Sequence, residues 1–165
     1  MNLRVRAYAV AFLSLALLGV AQADTLTGRV VKVSDGDTIT VLTGRFQHRV
    51  RLAGIDAPEI KQPFGQASRK HLASMIAGKI VTVEWHKRDK YGRIVGKIIL
   101  DAMDVCLEQI RYGFAWHYKK YEGEQSDNER TAYAGAEVVA RSMRYGLWVE
   151  DRTIPPWEYR KTSKH

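Results

Sequence analysis

Apolar and polar side chains alternate along five segments of the chain, as expected for β-strands with one buried face. The first three segments follow one another closely and are joined by turns at Asp35 and Gly36 and at Thr43 and Gly44. Short turns between alternating segments predict a meander of antiparallel strands. The predicted strands are residues 25–33, 37–42, 45–55, 79–86 and 93–100.

A period close to 3.6 residues predicts three helices. The first covers residues 66–77, and a short second helix runs from Asp104, as N-cap, to Tyr112. The third opens with a capping box formed by Ser126 and Glu129. In the first helix one side is formed by Ser68, Leu72, Met75 and Ile76, and the apolar stripe of the third is formed by Ala132, Ala136, Val139, Ala140 and Met143.

Five strands interrupted by one helix, with further helices after them, are typical of a small closed barrel of the oligonucleotide/oligosaccharide-binding (OB) type. We therefore predict an α+β fold, mainly β, with a five-stranded OB-type barrel and about three packed helices. This domain is expected to span residues 24–150. Residues 151–165 contain two consecutive prolines and several basic side chains and are expected to form an extended, partly mobile basic tail.

The first 23 residues have the layout of a secretory signal peptide. Arg4 and Arg6 precede an apolar run at residues 9–20, and a small-x-small cleavage site follows it. A retained anchor is the alternative, but the run is shorter than the roughly 20 apolar residues that span a bilayer. We expect cleavage before Asp24, export to the periplasm or the medium, and no stable membrane insertion afterwards.

Charge indicates the kind of partner. The 165 residues include 26 Lys and Arg against 18 Asp and Glu, a net charge of +8. Loss of the two arginines in the leader lowers the net charge to +6. An exported domain of this sign favours polyanions, either nucleic acid or anionic envelope surfaces. The single Cys106 has no Cys or His at metal-ligand spacing, which favours a buried, apolar role.

Two carboxylates are predicted near one mouth of the barrel. Asp37 has the parity of Ile39, and Asp56 has that of Leu52, so each lies where a strand meets the edge of the core. Neighbouring, poorly solvated anions are costly unless they share a cation, and a hard divalent ion with oxygen ligands would serve. Taken alone, Asp35 and Asp37 would more often be turn formers beside Gly36 than metal ligands.

Three motifs, in their order and spacing, resemble a known family. They are Asp35-Gly36-Asp37-Thr38, then Arg51-Leu52-x-x-Ile55-Asp56-x-Pro58-Glu59, then Asp89-Lys90-Tyr91-Gly92-Arg93. Together they resemble the staphylococcal (micrococcal) nuclease family, the thermonucleases, over roughly residues 26–148. The resemblance implies a Ca²⁺-dependent phosphodiesterase built on a five-stranded barrel with helices packed beside it.

The resemblance also implies roles for individual positions. The implied metal ligands are Asp37, Asp56 and the backbone carbonyl of Ala57. The implied catalytic residues are Arg51, Glu59 and Arg93. The candidates for substrate binding are Lys90, Tyr91 and Tyr118. The family archetype has threonine where this chain has Ala57, and a longer basic loop where this chain has the short link of residues 60–65.

These residue types suit phosphodiester hydrolysis. A bound Ca²⁺ would stabilise charge on the phosphoryl oxygens, and Glu59 is placed to orient or deprotonate the attacking water. Arg51 and Arg93 can each grip phosphate oxygens with a planar fork of donors. The implied substrates are DNA and RNA, single-stranded or frayed, cut by a monomer with little sequence preference to leave 3′-phosphate ends.

Two other functions remain open at this point. The same barrel could bind single-stranded nucleic acid without cutting it, or its basic face could bind an envelope surface. The sequence around Trp116, which mixes aromatic and basic residues, fits either base stacking or core packing.

Overall fold

The computed structural model describes residues 24–162. The predicted signal peptide and residues 163–165 lie outside the described residues. In chain order the elements are β1 (Asp24–Val33), β2 (Thr38–Thr43), β3 (Phe46–Leu52), β4 (Ile55–Asp56), α1 (Gly65–Ile76), β5 (Ile80–Arg88), β6 (Ile94–Leu100), β7 (Met103–Asp104), α2 (Val105–Arg111), β8 (Trp116–His117), α3 (Asp127–Ser142) and α4 (Pro156–Thr162). Two short 3₁₀ helices, Lys119–Glu124 and Gly146–Val149, flank α3.

Five strands close into a barrel. β1 pairs antiparallel with both β2 and β5, β2 pairs with β3, and β5 pairs with β6. A parallel contact between β3 and β6 completes the ring. The predicted OB-type α+β fold is confirmed. The barrel interior is filled by the inward side chains Val30, Ile39, Val41, Val50, Leu52, Val81, Val83, Ile94 and Ile98.

The helices pack beside the barrel in the order predicted. α1 buries Ser68, Leu72 and Ile76, the face expected from its period. The N-terminus of α2 is capped by Asp104, whose side chain accepts a hydrogen bond from the backbone N–H of Leu107 at 3.0 Å. The predicted capping box opens α3. Cys106 is fully buried in the core, and burial raises the pKa of its thiol. No helix within residues 24–162 combines the length and apolar character needed to cross a membrane.

The third predicted strand is shorter than expected. The alternation predicted a strand through residue 55, but β3 ends at Leu52 and the two-residue β4 pairs with β8 instead. Gly54, between them, has a φ of +71°, a conformation that a strand does not continue through. This break turns Asp56 away from β6 and places it opposite Trp116.

The buried face of α3 also differs from the predicted stripe. The buried residues are Tyr133, Glu137 and Ala140, whereas Val139 and Met143 are more than half exposed. The Tyr133 hydroxyl donates to Asp104 Oδ2 at 2.8 Å, so a polar contact with the N-cap of α2 helps to orient this helix. The contact face predicted from the hydrophobic pattern alone therefore lies about one residue away from the face that is buried in the structure.

The expectation of an extended C-terminal tail is wrong for residues 156–162, which form α4. Pro156 is buried at the first helical position, where its missing N–H costs nothing. The Trp157 ring meets the Trp116 ring edge-on with centroids 5.6 Å apart. This helix therefore packs against the barrel domain and reaches one mouth of the barrel.

Candidate active site

Strand pairing places Asp37 and Arg51 side by side at one mouth of the barrel. Asp37 immediately precedes β2, and the next residue, Thr38, pairs with Arg51 of β3. The backbone N–H of Leu52 donates to the backbone carbonyl of Asp37 at 2.8 Å. The register of one antiparallel ladder thus fixes the separation of these two side chains.

Asp37 is buried and fully engaged. Its Oδ2 accepts a hydrogen bond from the backbone N–H of Ala57 at 2.7 Å and lies 3.1 Å from Arg51 Nη1. Its Oδ1 accepts from the Thr38 hydroxyl at 3.1 Å. The bond to Ala57 ties the start of β2 to the turn after β4, so the two predicted carboxylate positions do meet.

Arg51 bridges the two aspartates. Its Nη2 donates to Asp56 Oδ1 at 2.7 Å, while Nη1 contacts Asp37 and donates to the carbonyl of Leu52 at 3.0 Å. Only 14% of the side chain is exposed. Burial works to lower the pKa of this guanidinium, but the charges of Asp37 and Asp56 outweigh it and raise the pKa. The bridge therefore places one positive charge between two buried carboxylates.

Asp35 serves the turn rather than the carboxylate pair. Its Oδ1 accepts a hydrogen bond from the backbone N–H of Asp37 at 3.0 Å, which is the common turn-forming use of aspartate. Burial, with the nearby charge of Asp37 as a second cause, raises the pKa of Asp35 to about 7. The two aspartates beside Gly36 thus have different surroundings.

Glu59 lies on the same wall of the cleft, beyond Asp56 and Pro58. Its side chain is 39% exposed, so water can reach it. Its Oε1 accepts a hydrogen bond from Arg160 Nη1 at 2.8 Å. The backbone N–H of Glu59 donates to the Gln62 side chain at 3.1 Å, which holds the short link after Glu59 in a compact turn.

Arg160 is a site residue that sequence reasoning missed. It comes from α4, and its guanidinium donates to both oxygens of Asp56 as well as to Glu59. The signal that could have revealed the helix is Pro156, a favoured first residue of a helix, after Pro155. No local sequence signal could predict that Arg160 contacts Asp56 and Glu59, which lie about a hundred residues earlier in the chain.

Arg93 enters the cleft from the hairpin that joins β5 to β6. Its Nε donates to Asp89 Oδ2 at 2.7 Å, and Nη1 lies 3.5 Å from the Thr38 hydroxyl. Burial works against the ionised form of Asp89, but hydrogen bonds from Arg93 and from the N–H of Tyr91 lower its pKa below the usual value. An ionised Asp89 therefore orients the Arg93 guanidinium.

The aromatic residues of the cleft occupy two sides. Tyr91 is 71% exposed on the hairpin, with Lys90 Nζ 5.0 Å from its ring centroid. Tyr118 is half-buried and stacks on Trp157 with centroids 5.4 Å apart and a 9° angle between the ring planes. Trp116, by contrast, is 6% exposed and packs edge-on against Trp148, which decides in favour of core packing.

These residues line one open cleft of about 650 Å³. The cleft brings together all nine residues singled out from the sequence, namely Asp37, Arg51, Asp56, Ala57, Glu59, Lys90, Tyr91, Arg93 and Tyr118. The cleft also includes Asp35, Tyr121 and Arg160, which are not among these nine predicted site residues. The geometry places the nine together, and their individual roles stay predictions.

The acidic residues of the cleft fit a hard cation by their donor chemistry. Asp37 and Asp56 both contact the same Arg51 guanidinium, so their oxygens lie within reach of one ion. Burial raises the pKa of Asp56, and a nearby positive charge favours its ionised form. Within residues 24–162, however, no three His, Cys, Asp or Glu side chains are arranged as a ready metal site. Two carboxylates leave most of the six to eight oxygen ligands of Ca²⁺ to water, phosphate or backbone.

Comparison with known proteins decides the family. The family model described as staphylococcal nuclease homologue matches residues 49–150. The chain belongs to the staphylococcal nuclease family. A protein of Escherichia coli described as an uncharacterized endonuclease is 42% identical over 134 residues, covering 81% of this chain and 84% of that protein. A micrococcal nuclease of Shigella flexneri is 37% identical over 147 residues, covering 84% and 82%.

Relatives also occur in plants. A probable staphylococcal-like nuclease of Oryza sativa subsp. japonica is 38% identical over 119 residues, which cover 72% of this chain and 34% of that longer protein. Membership of the staphylococcal nuclease family confirms the predicted resemblance and the predicted enzyme class, a nuclease. The matched residues 49–150 include most of the residues that line the cleft.

Proposed function

We propose that this protein is an exported, Ca²⁺-dependent endonuclease that cleaves DNA and RNA with little sequence preference and leaves 3′-phosphate ends. The observation that carries the proposal is the Arg51 bridge between Asp37 and Asp56, with Glu59 and Arg93 lining the same cleft. A nucleic-acid strand in this cleft would meet paired carboxylates, a half-exposed acid and guanidinium groups. A binding module would not need that combination.

Ca²⁺ held by Asp37 and Asp56, with the carbonyl of Ala57 as a third ligand by family resemblance, would supply Lewis-acid stabilisation at the phosphate. The residues of the chain do the rest. Glu59 orients a water and accepts its proton, a role for which its exposure to solvent is suited. Arg51 and Arg93 donate to phosphoryl oxygens as negative charge grows on them.

The bond that breaks is the one between phosphorus and the 5′ oxygen of the following nucleotide. Water adds to phosphorus as the 5′ oxygen leaves with a proton, so the phosphate stays on the 3′ side. This outcome is proposed from the family resemblance. Tyr91 and Tyr118 offer ring surfaces to bases, which all have aromatic faces, so the contacts favour unpaired strands over any particular sequence.

Export and a monomeric state are part of the proposal. The charged start, the short apolar run and the small-residue cleavage site support export to the periplasm or the medium. N-terminal sequencing of the protein recovered from the periplasm or the medium is expected to begin at Asp24. Light scattering after size exclusion is expected to give the mass of one processed chain. A product that keeps residues 1–23 in a membrane fraction would contradict the export proposal.

The cleavage test uses a single-stranded DNA and an RNA of mixed sequence, each with Ca²⁺ or with EDTA. The wild-type protein is expected to cut both in Ca²⁺ only. Glu59→Gln is expected to lower kcat by about 10²–10⁴-fold, the usual value of a positioned general base. The matched control is Glu150→Gln, an exposed glutamate outside the cleft, which should cut at the wild-type rate.

Labelled products should accept a new 5′ phosphate directly and should require removal of a 3′ phosphate before extension. Cutting that is equal in Ca²⁺, in EDTA and in Glu59→Gln would defeat the proposal. Tight binding of the single strand at all Ca²⁺ concentrations without turnover would identify the protein as a binding module instead.

A further inference from the structure

A second groove, of about 420 Å³, adjoins the cleft and shares Tyr118 with it. We call it the basic groove. Its charged and aromatic walls are formed by Tyr118, Lys119, Lys120, Arg141, Trp157 and Lys161. Two of these residues, Trp157 and Lys161, come from α4, so the C-terminal helix builds part of the groove.

The basic groove carries an excess of positive charge. Four cationic side chains line it, and the one carboxylate in its lining is Glu137. Glu137 is 4% exposed and is held by Lys119 at 3.5 Å and by Arg141 at 3.3 Å. Lys120 and Lys161 have no carboxylate partner among the described residues. Two lysines are therefore available to an anion from outside.

The aromatic rings and Arg141 of the groove are held by contacts with their neighbours. The Arg141 guanidinium lies 3.9 Å from the Trp148 ring centroid and 4.9 Å from that of Trp116. The Trp157 ring stacks on Tyr118 and meets Trp116 edge-on. Arg160, the neighbour of Lys161, anchors α4 to Asp56 at the cleft. Rings and a guanidinium that are already held in place lose less conformational freedom when a ligand binds.

The chemistry of the groove matches a nucleic-acid strand. Cations beside half-exposed aromatic rings are the combination by which proteins bind single strands, the cations at phosphates and the rings at bases or sugars. Tyr118 is common to the groove and the cleft, so one strand can pass from one to the other without leaving the surface. An anionic membrane could also attract lysines, but these lysines line a recess and continue the substrate cleft.

We propose that the basic groove is a second subsite for single-stranded DNA or RNA, which holds phosphates of the bound strand beyond the nucleotides in the cleft. This rests on the proposed nuclease function, and it adds a prediction of its own. Substrates long enough to reach Lys120 and Lys161 bind more tightly than a dinucleotide, and they lose that advantage when the two lysines are neutralised.

The test measures binding by fluorescence anisotropy in the presence of Ca²⁺, in a Glu59→Gln background that slows cutting of the strand by about 10²–10⁴-fold. A labelled dinucleotide and a labelled 12-nucleotide single strand are titrated with the parent and with Lys120→Gln/Lys161→Gln. The double variant is expected to bind the 12-nucleotide strand about tenfold more weakly at low salt. Its slope of log K against log salt should be smaller by about 1.4, because two phosphate contacts are lost. Dinucleotide affinity should change less than twofold.

The matched control is Lys32→Gln/Lys79→Gln, which removes the same charge at two exposed lysines outside both the cleft and the groove. Equal weakening by the control pair, equal weakening for the dinucleotide, or no change at all would overturn the subsite. Binding to phosphatidylglycerol vesicles is measured with the same variants. If the double variant lost binding to the vesicles but not to the 12-nucleotide strand, the subsite would also be overturned. Failure of the nuclease function is seen separately, as an absence of Ca²⁺-dependent cutting by the wild-type protein at either substrate length.

Discussion

Arg160 and Asp56 are 104 residues apart in the chain, yet the guanidinium of Arg160 donates to both carboxylate oxygens of Asp56, at 2.7 and 3.1 Å. The same guanidinium donates to Glu59 at 2.8 Å. Asp56 is fully buried and also accepts from Arg51. Burial raises the pKa of Asp56, and the two arginines work against that rise. The two arginines therefore supply positive charge to this buried carboxylate.

Replacement of Arg160 by Met should have opposite effects on the metal-free and metal-bound protein. The metal-free variant should be less stable by about 1–2 kcal/mol, since Asp56 and Glu59 lose a charged donor that is itself partly exposed. Ca²⁺ should bind about tenfold more tightly, because it no longer competes with a guanidinium for Asp56. Urea unfolding with EDTA and calorimetric titration with Ca²⁺ measure the two effects.

Lys161→Met is the control for this comparison. It removes the same charge from the next position of α4 without touching Asp56 or Glu59. Its stability and Ca²⁺ affinity should match the wild type. Weaker Ca²⁺ binding by the Arg160 variant would show that Arg160 assists the ion rather than competing with it.

Arg51→Lys should lower kcat by about 10²–10³-fold although the charge is kept, because an ammonium cannot reproduce the planar fork. The fork is what lets Arg51 contact Asp37 and Asp56 at once. Arg49→Lys, at an exposed position of the same strand, is the control and should leave kcat unchanged. Equal rates for the wild type and the Arg51 variant would remove Arg51 from the catalytic group.

Gly36→Ala should destabilise the protein and disturb the cleft. A Cβ at this position would lie 1.8 Å from Ser68 Oγ and 2.7 Å from the Cβ of Ala57. The clash should reduce the free energy of unfolding by about 1–3 kcal/mol. Gly123→Ala, where a Cβ meets open space, is the control. Urea unfolding of both variants gives the comparison, and equal stability would show that the turn can shift to admit the methyl group.

Glu129 should contribute to stability in a pH-dependent way. Burial opposes its ionised form, but hydrogen bonds from Lys97 and Ser126 outweigh burial and lower its pKa. A carboxyl whose pKa is lower in the folded state stabilises the fold above its unfolded pKa of about 4.3 and loses this effect as pH falls further. Glu129→Gln should therefore be less stable than the wild type at pH 7, with the difference shrinking towards pH 3.

The measurement is the free energy of unfolding in urea at several pH values. Glu122→Gln is the control, since Glu122 forms no ion pair within residues 24–162. A difference between Glu129→Gln and the wild type that persisted unchanged at pH 3 would assign the effect to lost packing rather than to charge.

The α3 face shows where pattern reasoning stops. Its capping box was readable because Ser126 and Glu129 interact within one turn. Its buried face was not, because Tyr133 is oriented by Asp104 and Glu137 is held by Lys119 and Arg141. Asp104 and Lys119 belong to other elements, and a hydropathy stripe carries no information about them.

The sequence by itself determined the strands, the helix caps and the three motifs of the family, because alternation, capping and turn chemistry act between residues close together in the chain. It also placed Asp37 and Asp56 at strand ends, but it did not show that these two ends come together. Only the tertiary structure decided that Gly54 ends β3, that Arg51 bridges the two aspartates, and that α4 returns to place Arg160 on Asp56. These contacts depend on barrel closure and on docking of α4, which join residues distant in sequence.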